Sequence, residues 1–223
     1  MLAAIYAHPA KIGAPSSVVL QLSWRDSVTK MAPWADTLAA DSYDSPQFEL
    51  DRRAFAQDLL RTGNLDSGRA DSLATLAVRE AYRRRVPPAL VFGILMTENG
   101  DLVSSARSKV GAIGLMQIDP RAWMRSLGKH FGTNLRDDAT NLRYGVFILS
   151  HYLYGADDSS TTDSSVRRGL LRYNGCVRGT NTRDCQRYPD VVRARIERLA
   201  VSQCGARGYD KCVSEPLQVS MGN

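Results

Sequence analysis

One carboxylate of this 223-residue chain lies where a carboxylate is hardest to ionise. Glu98 follows the apolar run Ala89 to Met96. A helix over that run puts the side chain at the C-terminal end of a core helix, where lost hydration and the negative end of the helix dipole both disfavour its charge. A carboxyl group kept neutral near working pH is a proton donor, so the chemistry to expect is general acid catalysis. Two more carboxylates stand close in sequence. Asp119, before Pro120, is accounted for as a helix cap, whereas Asp101, after Gly100 in a turn, is the candidate for a second carboxylate. Metal chemistry is poorly served: the histidines are His8, His130 and His151, and the cysteines hold no Cys-x-x-Cys pair. Neither a metal nor another cofactor is expected.

The elements around Glu98 read as helices. Pro87 and Pro88 start its own helix. Upstream, Ala54, Leu59 and Leu60 begin an amphipathic stretch, and Asp66 or Ser67 caps a helix carrying Leu73, Leu76, Ala77 and Tyr82. Arg83, Arg84 and Arg85 end it, with positive charge at the negative end of the dipole. Downstream, the polar stretch Ser104 to Lys109 leads into Gly111-Ala-Ile-Gly-Leu-Met-Gln and then a helix from Asp119-Pro120 toward Gly132. Asp138 is expected to cap the next, with Leu142, Val146, Leu149 and Leu153 at helical spacing, and Asp163 another with Val166, Leu170 and Tyr173. Tyr188 to Gln203 closes the series. Alternating strand patterns are lacking, so the class is mainly α. Residues before about Pro46 mix apolar, Ser, Pro and Gly without period and read as an extension.

Bulk properties narrow the function class. With 43% hydrophobic and 23% charged residues the composition is that of an ordinary globular protein. No stretch reaches the roughly 20 apolar residues of a membrane helix. A net charge of +6 and a pI near 9.3 favour anionic partners through long-range steering. Cys176, Cys185, Cys204 and Cys212 crowd the last quarter of the chain and read as disulfide partners, which places the protein in an oxidising compartment. Three pairings are possible. Cys176 with Cys185 and Cys204 with Cys212 would close two short loops, each adding about 2–3 kcal/mol, and the first would brace the loop between Tyr173 and Tyr188. Met1 to Ala10 lacks the basic and apolar regions of a cleavable signal, so none is visible.

Several motifs in fixed order carry a family resemblance. Leu95-Met-Thr-Glu98-Asn99 ends the hydrophobic helix; Gly111-Ala-Ile-Gly114-Leu115-Met116-Gln117-Ile-Asp-Pro120 follows; Tyr173-Asn174-Gly175-Cys176 ends a later helix; Tyr188 precedes Val191 and Val192 on the last. Together, over about Pro87 to Leu199, they resemble the catalytic domain of the soluble lytic transglycosylases, a lysozyme-like family. The second motif matches residue for residue. In the first, Asn99 replaces the family's serine, and in the third the glycine comes one place early.

The resemblance implies a lysozyme-like helical domain that cleaves peptidoglycan glycan strands between MurNAc and GlcNAc, with Glu98 as acid and then base and a 1,6-anhydro product. Ser108 would bind substrate or the glutamate. Gly114, Leu115, Met116, Gln117, Asn174 and Tyr188 would form the substrate site, and Tyr173 would approach Glu98. The organisation expected is an extension over 1–48, a transglycosylase domain over 49–203 with its motif-bearing core at 87–199, and a disulfide-braced tail over 204–223. The expected partner is peptidoglycan, in the periplasm, envelope or outside the cell, with no membrane span and no assigned oligomeric state. Competing readings are a lysozyme-type muramidase, a non-catalytic peptidoglycan-binding module of an envelope apparatus, and a nucleic-acid-binding helical protein. Glu98 argues against the module, and the lack of stacking aromatics argues against nucleic acid.

Overall fold

The computed structural model describes residues 45–154, 163–176 and 183–214. The fold is mainly helical, with no strand among the described residues. The helices are α1 (Pro46–Arg61), α2 (Ser67–Arg83), α3 (Pro88–Glu98), α4 (Pro120–Phe131), α5 (Asp138–Tyr154), α6 (Asp163–Tyr173), the short α7 (Arg183–Gln186), α8 (Tyr188–Leu199), α9 (Val201–Cys204) and, after a 3-10 turn, α10 (Gly208–Ser214). Local chemistry sets their starts. Ser45 caps α1 by accepting the Phe48 N–H at 3.1 Å, Asp66 caps α2 through Arg69 N–H at 2.8 Å, and Asp119 caps α4 through Arg121 N–H at 3.0 Å. The cap of α5 differs from expectation by one residue: Asp137 accepts the Thr140 N–H at 2.8 Å, while Asp138 turns to an ion pair with Arg69. The side chain of Asp163, expected to cap α6, lies outside the described residues.

Helix α3 is the axis of the domain. Ala89 to Met96 are all buried, because α1, α2, α8, α9 and α10 pack around it. Each fully buried Leu, Ile or Phe contributes about 1.5–3 kcal/mol of burial, and Phe92 adds an edge-to-face contact with Phe55 of α1, centroids 5.4 Å apart. Gly93 decides how closely α8 can approach. A Cβ there would lie 2.5 Å from Ile196 Cγ1 and 3.1 Å from Val192 Cγ1, so the bare backbone lets the two helices touch. They run antiparallel, and Tyr188 at the start of α8 therefore meets Glu98 at the end of α3.

The chain's two flanks close on each other. Asp58 of α1 is fully buried and accepts the N–H groups of Ser202 at 2.7 Å and Gln203 at 3.0 Å, so it caps α9 from 144 residues away. Burial pushes its carboxyl above the ordinary range, against those hydrogen bonds. This remote cap explains why the helix expected to run from Tyr188 to Gln203 is broken at Ala200: α9 restarts with its N–H groups aimed at Asp58. Disulfides join Cys176 to Cys185 and Cys204 to Cys212. Their Cα–Cα separations of 5.8 and 5.0 Å lie within the usual range.

Candidate active site

Glu98 is the last residue of α3. It is half-buried, and burial pushes its carboxyl up to about 7 against the opposing hydrogen bond from Tyr188. That bond is short, with the Tyr188 hydroxyl donating to Glu98 Oε1 at 2.6 Å. The carboxyl thus keeps its proton in about half of the molecules at neutral pH, and one of its oxygens is oriented by a phenol. Asn99, where the family pattern has serine, turns its side chain away from the carboxyl. Its Nδ2 donates to Val103 O at 2.8 Å and Gly114 O at 3.3 Å, tying the end of α3 to the motif that follows.

That motif folds as a hairpin without regular strands. Ile113 and Ile118 exchange both backbone hydrogen bonds at 2.9 Å, leaving Gly114 to Gln117 as a tight loop. Two residues take positive φ, Gly114 at 84° and Gln117 at 48°. Gly114 is irreplaceable on steric grounds too, since a Cβ would collide with the Asn141 amide and sit 2.7 Å from Leu135 O. Gln117 Nε2 donates to Gly114 O at 2.8 Å. Leu115 and Met116 are fully buried and Gln117 is 6% exposed, so what these residues offer at the surface is the backbone shape they enforce. Ser108 lies at the tip of an adjoining hairpin, Ala106 to Gly114, closed by Gly114 N–H donating to Ala106 O and Ser108 N–H to Ala112 O, each at 2.9 Å; its Oγ accepts the Ala112 N–H at 3.0 Å, a brace within that tip.

The remaining expected residues line up behind the loop. Tyr173 donates its hydroxyl to Met116 O at 2.9 Å, and it is Tyr188 that donates to Glu98. Asn174 is buried with its Nδ2 at 3.6 and 3.9 Å from the sulfurs of Cys176 and Cys185. The disulfide thereby links the end of α6, which carries Tyr173, to α7, directly before Tyr188. Asp119 is engaged with its cap and with Arg121 at 3.0 Å. Asp101 is exposed on the turn after α3, next to Gly100, whose carbonyl accepts from Asn64 at 2.8 Å. Among the described residues no group of acids, histidines and cysteines could hold a metal ion, and no helix is long and apolar enough to cross a membrane.

Two residues of α5 were not singled out from sequence. Asn141 is 1% exposed and saturates the back of the loop: its Oδ1 accepts the Met116 N–H at 2.8 Å, and its Nδ2 donates to Ile113 O and Leu135 O, each at 2.9 Å. One turn on, Gly145 makes room for the Met116 side chain, whose own Cβ lies 2.7 Å from where a Cβ would stand. The signal was available in principle, since a buried amide and a helix-interior glycine interrupt an otherwise apolar stripe.

Comparison with curated proteins and comparison with solved structures each gave no match. A family model does match, that of the Transglycosylase SLT domain, over residues 75–183. The matched span holds the Glu98 helix, the hairpin with its Gly114 loop, the Asn141 helix and the Tyr173 turn, and over it the chain is similar to the transglycosylase SLT domain, which is lysozyme-like.

Proposed function

We propose that this protein is a peptidoglycan lytic transglycosylase, acting on the β-1,4 bond between MurNAc and GlcNAc in the cell envelope or outside the cell. The observation that carries the reading is Glu98: a single carboxyl raised to about 7 by burial, oriented by Tyr188, at the end of a core helix inside the family match. Tyr188 donates to Oε1, which suits a proton carried on Oε2 and available to the bridging oxygen. As that proton moves, the C1–O4 bond breaks, its electron pair stays on O4, and the GlcNAc portion leaves as an alcohol. The MurNAc C1 becomes oxocarbenium-like. Glu98, now a carboxylate stabilised by the Tyr188 hydrogen bond, takes the proton from the muramoyl 6-hydroxyl as O6 bonds to C1. The product is 1,6-anhydroMurNAc, no water is consumed, and Glu98 ends protonated as it began.

Among the described residues no second carboxylate is engaged beside Glu98, which supports this course over hydrolysis: Asp119 is spent on its helix cap and Asp101 is exposed on a separately anchored turn. Mass spectrometry of products from purified sacculi is the test. Ends bearing 1,6-anhydroMurNAc are expected; reducing MurNAc ends would identify a muramidase instead.

A further inference from the structure

Residues 102–136 hold six basic side chains and one acid, Asp119, a net of +5 within a chain whose total is +6. Elsewhere acids and bases alternate: Arg52 and Arg53 share Glu49, Arg61 meets Asp58, and Arg83 meets Glu80. The structure gathers the unbalanced charge along one edge. Arg107 and Lys109 are exposed at the tip of the Ala106–Gly114 hairpin, and Arg121, Arg125 and Lys129 are exposed at every fourth position of α4, a stripe about 12 Å long. Arg121 joins the two, donating to Val110 O at 2.9 Å while pairing with Asp119. Arg107, Lys109, Arg125 and Lys129 have no acidic partner among the described residues.

We infer that this edge is a basic ledge that takes the carboxylates of the peptide branches carried on the glycan strand, so that the enzyme selects peptide-bearing over uncharged strands. The inference rests on the glycan-cleaving reading of Glu98. The Ala106–Gly114 hairpin connects the two sites: Gly114 at its base is bonded to Asn99, beside Glu98, and its tip bears Arg107 and Lys109. A polymer lying from Glu98 along that hairpin meets those charges, and carboxylates are anions that guanidinium forks and ammonium groups grip at short range. Nucleic acid fits less well, because the aromatic residues of α4 are packed inward, Trp123 against Tyr152 and Phe131 against Tyr144 and Phe147, leaving no ring for a base to stack on. A membrane surface fits less well again, since the exposed stripe of α4 carries no large apolar side chain to insert.

The experiment compares native glycan strands with the same strands after carbodiimide amidation of their carboxylates, cleaved by the full chain and by R107Q/K109Q/R125Q/K129Q. The expected result is a roughly 10- to 100-fold rise in KM on native strands for the variant, and little change on amidated strands. Raising salt should reproduce the rise for the unaltered protein on native strands alone. Equal KM for both proteins on native strands, an equal loss on both substrates, or salt-sensitive binding of duplex DNA tighter than of native strands would overturn the ledge while leaving the glycan-cleaving reading in place. Failure of the unaltered protein to cleave either strand would instead overturn the reading on which the ledge depends.

Discussion

Two regions meet at the site, and they are built by opposite means. Helix α3 delivers its carboxyl through apolar packing: Gly93 lets α8 approach, and the crossing alone brings Tyr188 to Glu98. The Gly114 loop is held by polar bonds, with Asn141, Asn99, Gln117 and Tyr173 each satisfying a backbone group in or beside it. The first region controls a proton and the second controls a shape. Changes at the α3–α8 contact should therefore move kcat and its pH dependence, whereas changes behind the loop should move substrate binding and leave the pH limb in place.

The largest effect falls on the proton itself. Glu98→Gln should lower cleavage by several orders of magnitude while strand binding survives, and Asp101→Asn should cost far less; full activity in Glu98→Gln would remove this residue from the chemistry. A second reading of the same variant checks the burial. With its carboxyl raised from 4.5 to about 7, Glu98 stays protonated in the fold while it ionises in the unfolded chain. Its favourable contribution is present below the ordinary range and is lost as pH rises through about 7. Thermal melts should thus show Glu98→Gln gaining on the parent between about pH 4.5 and 7, with the advantage constant above. A gap independent of pH would mean the carboxyl is not raised.

Next in size come the changes that break the loop. Gly114→Ala forces a Cβ into Asn141 at a positive φ and should cost roughly 2–4 kcal/mol, with activity falling in step. Asn141→Leu keeps the side-chain branching but strands the Met116 N–H and the Leu135 carbonyl, Ile113 O keeping the Ile118 N–H, at about 1–3 kcal/mol for each group left buried and unsatisfied. KM should rise several-fold with the alkaline limb unmoved. A shifted limb would show that the loop and the proton are coupled after all.

Smaller and more specific is Tyr188→Phe. Its hydroxyl is what opposes the raised carboxyl, so its loss should carry the alkaline limb to higher pH and lower kcat about tenfold through the weakened carboxylate. Rates falling with the limb unchanged would reduce Tyr188 to a packing role. The smallest effect is expected from reducing the Cys176–Cys185 disulfide, which holds Tyr173 and Tyr188 to one spacing. Activity should drop a few-fold on reduction and recover on reoxidation, measured against a C204S/C212S variant that isolates this bond.

The difference between the two regions also explains what could be read from the chain. Loop residues are dictated locally: positive φ at Gly114 and a cap at Asp119 before Pro120 constrain residue types at fixed spacing, so Gly111 to Pro120 stood out as a motif. The apolar run into Glu98 was equally plain, because a helix buried on all sides has no polar face. The Tyr188 contact was not legible, since it joins residues 90 positions apart through a glycine that looks like any helix-interior glycine. Tyr173 was therefore the tyrosine expected at Glu98. The break at Ala200 escaped for the same reason: its cause, Asp58, lies on the first helix.

Asp58 has a consequence for how the protein is made. Its carboxylate waits for N–H groups that leave the ribosome 144 residues later, and until then α1 carries a charge meant for a dry interior. Meanwhile Asp58 has Arg61 on its own helix but lacks the N–H groups that satisfy it in the interior, and contacts of such long sequence separation are slow to form. Final docking is thus completed only after the core that carries Glu98 is already present in the chain, with the segment from Val201 onward as the latch that joins the two flanks.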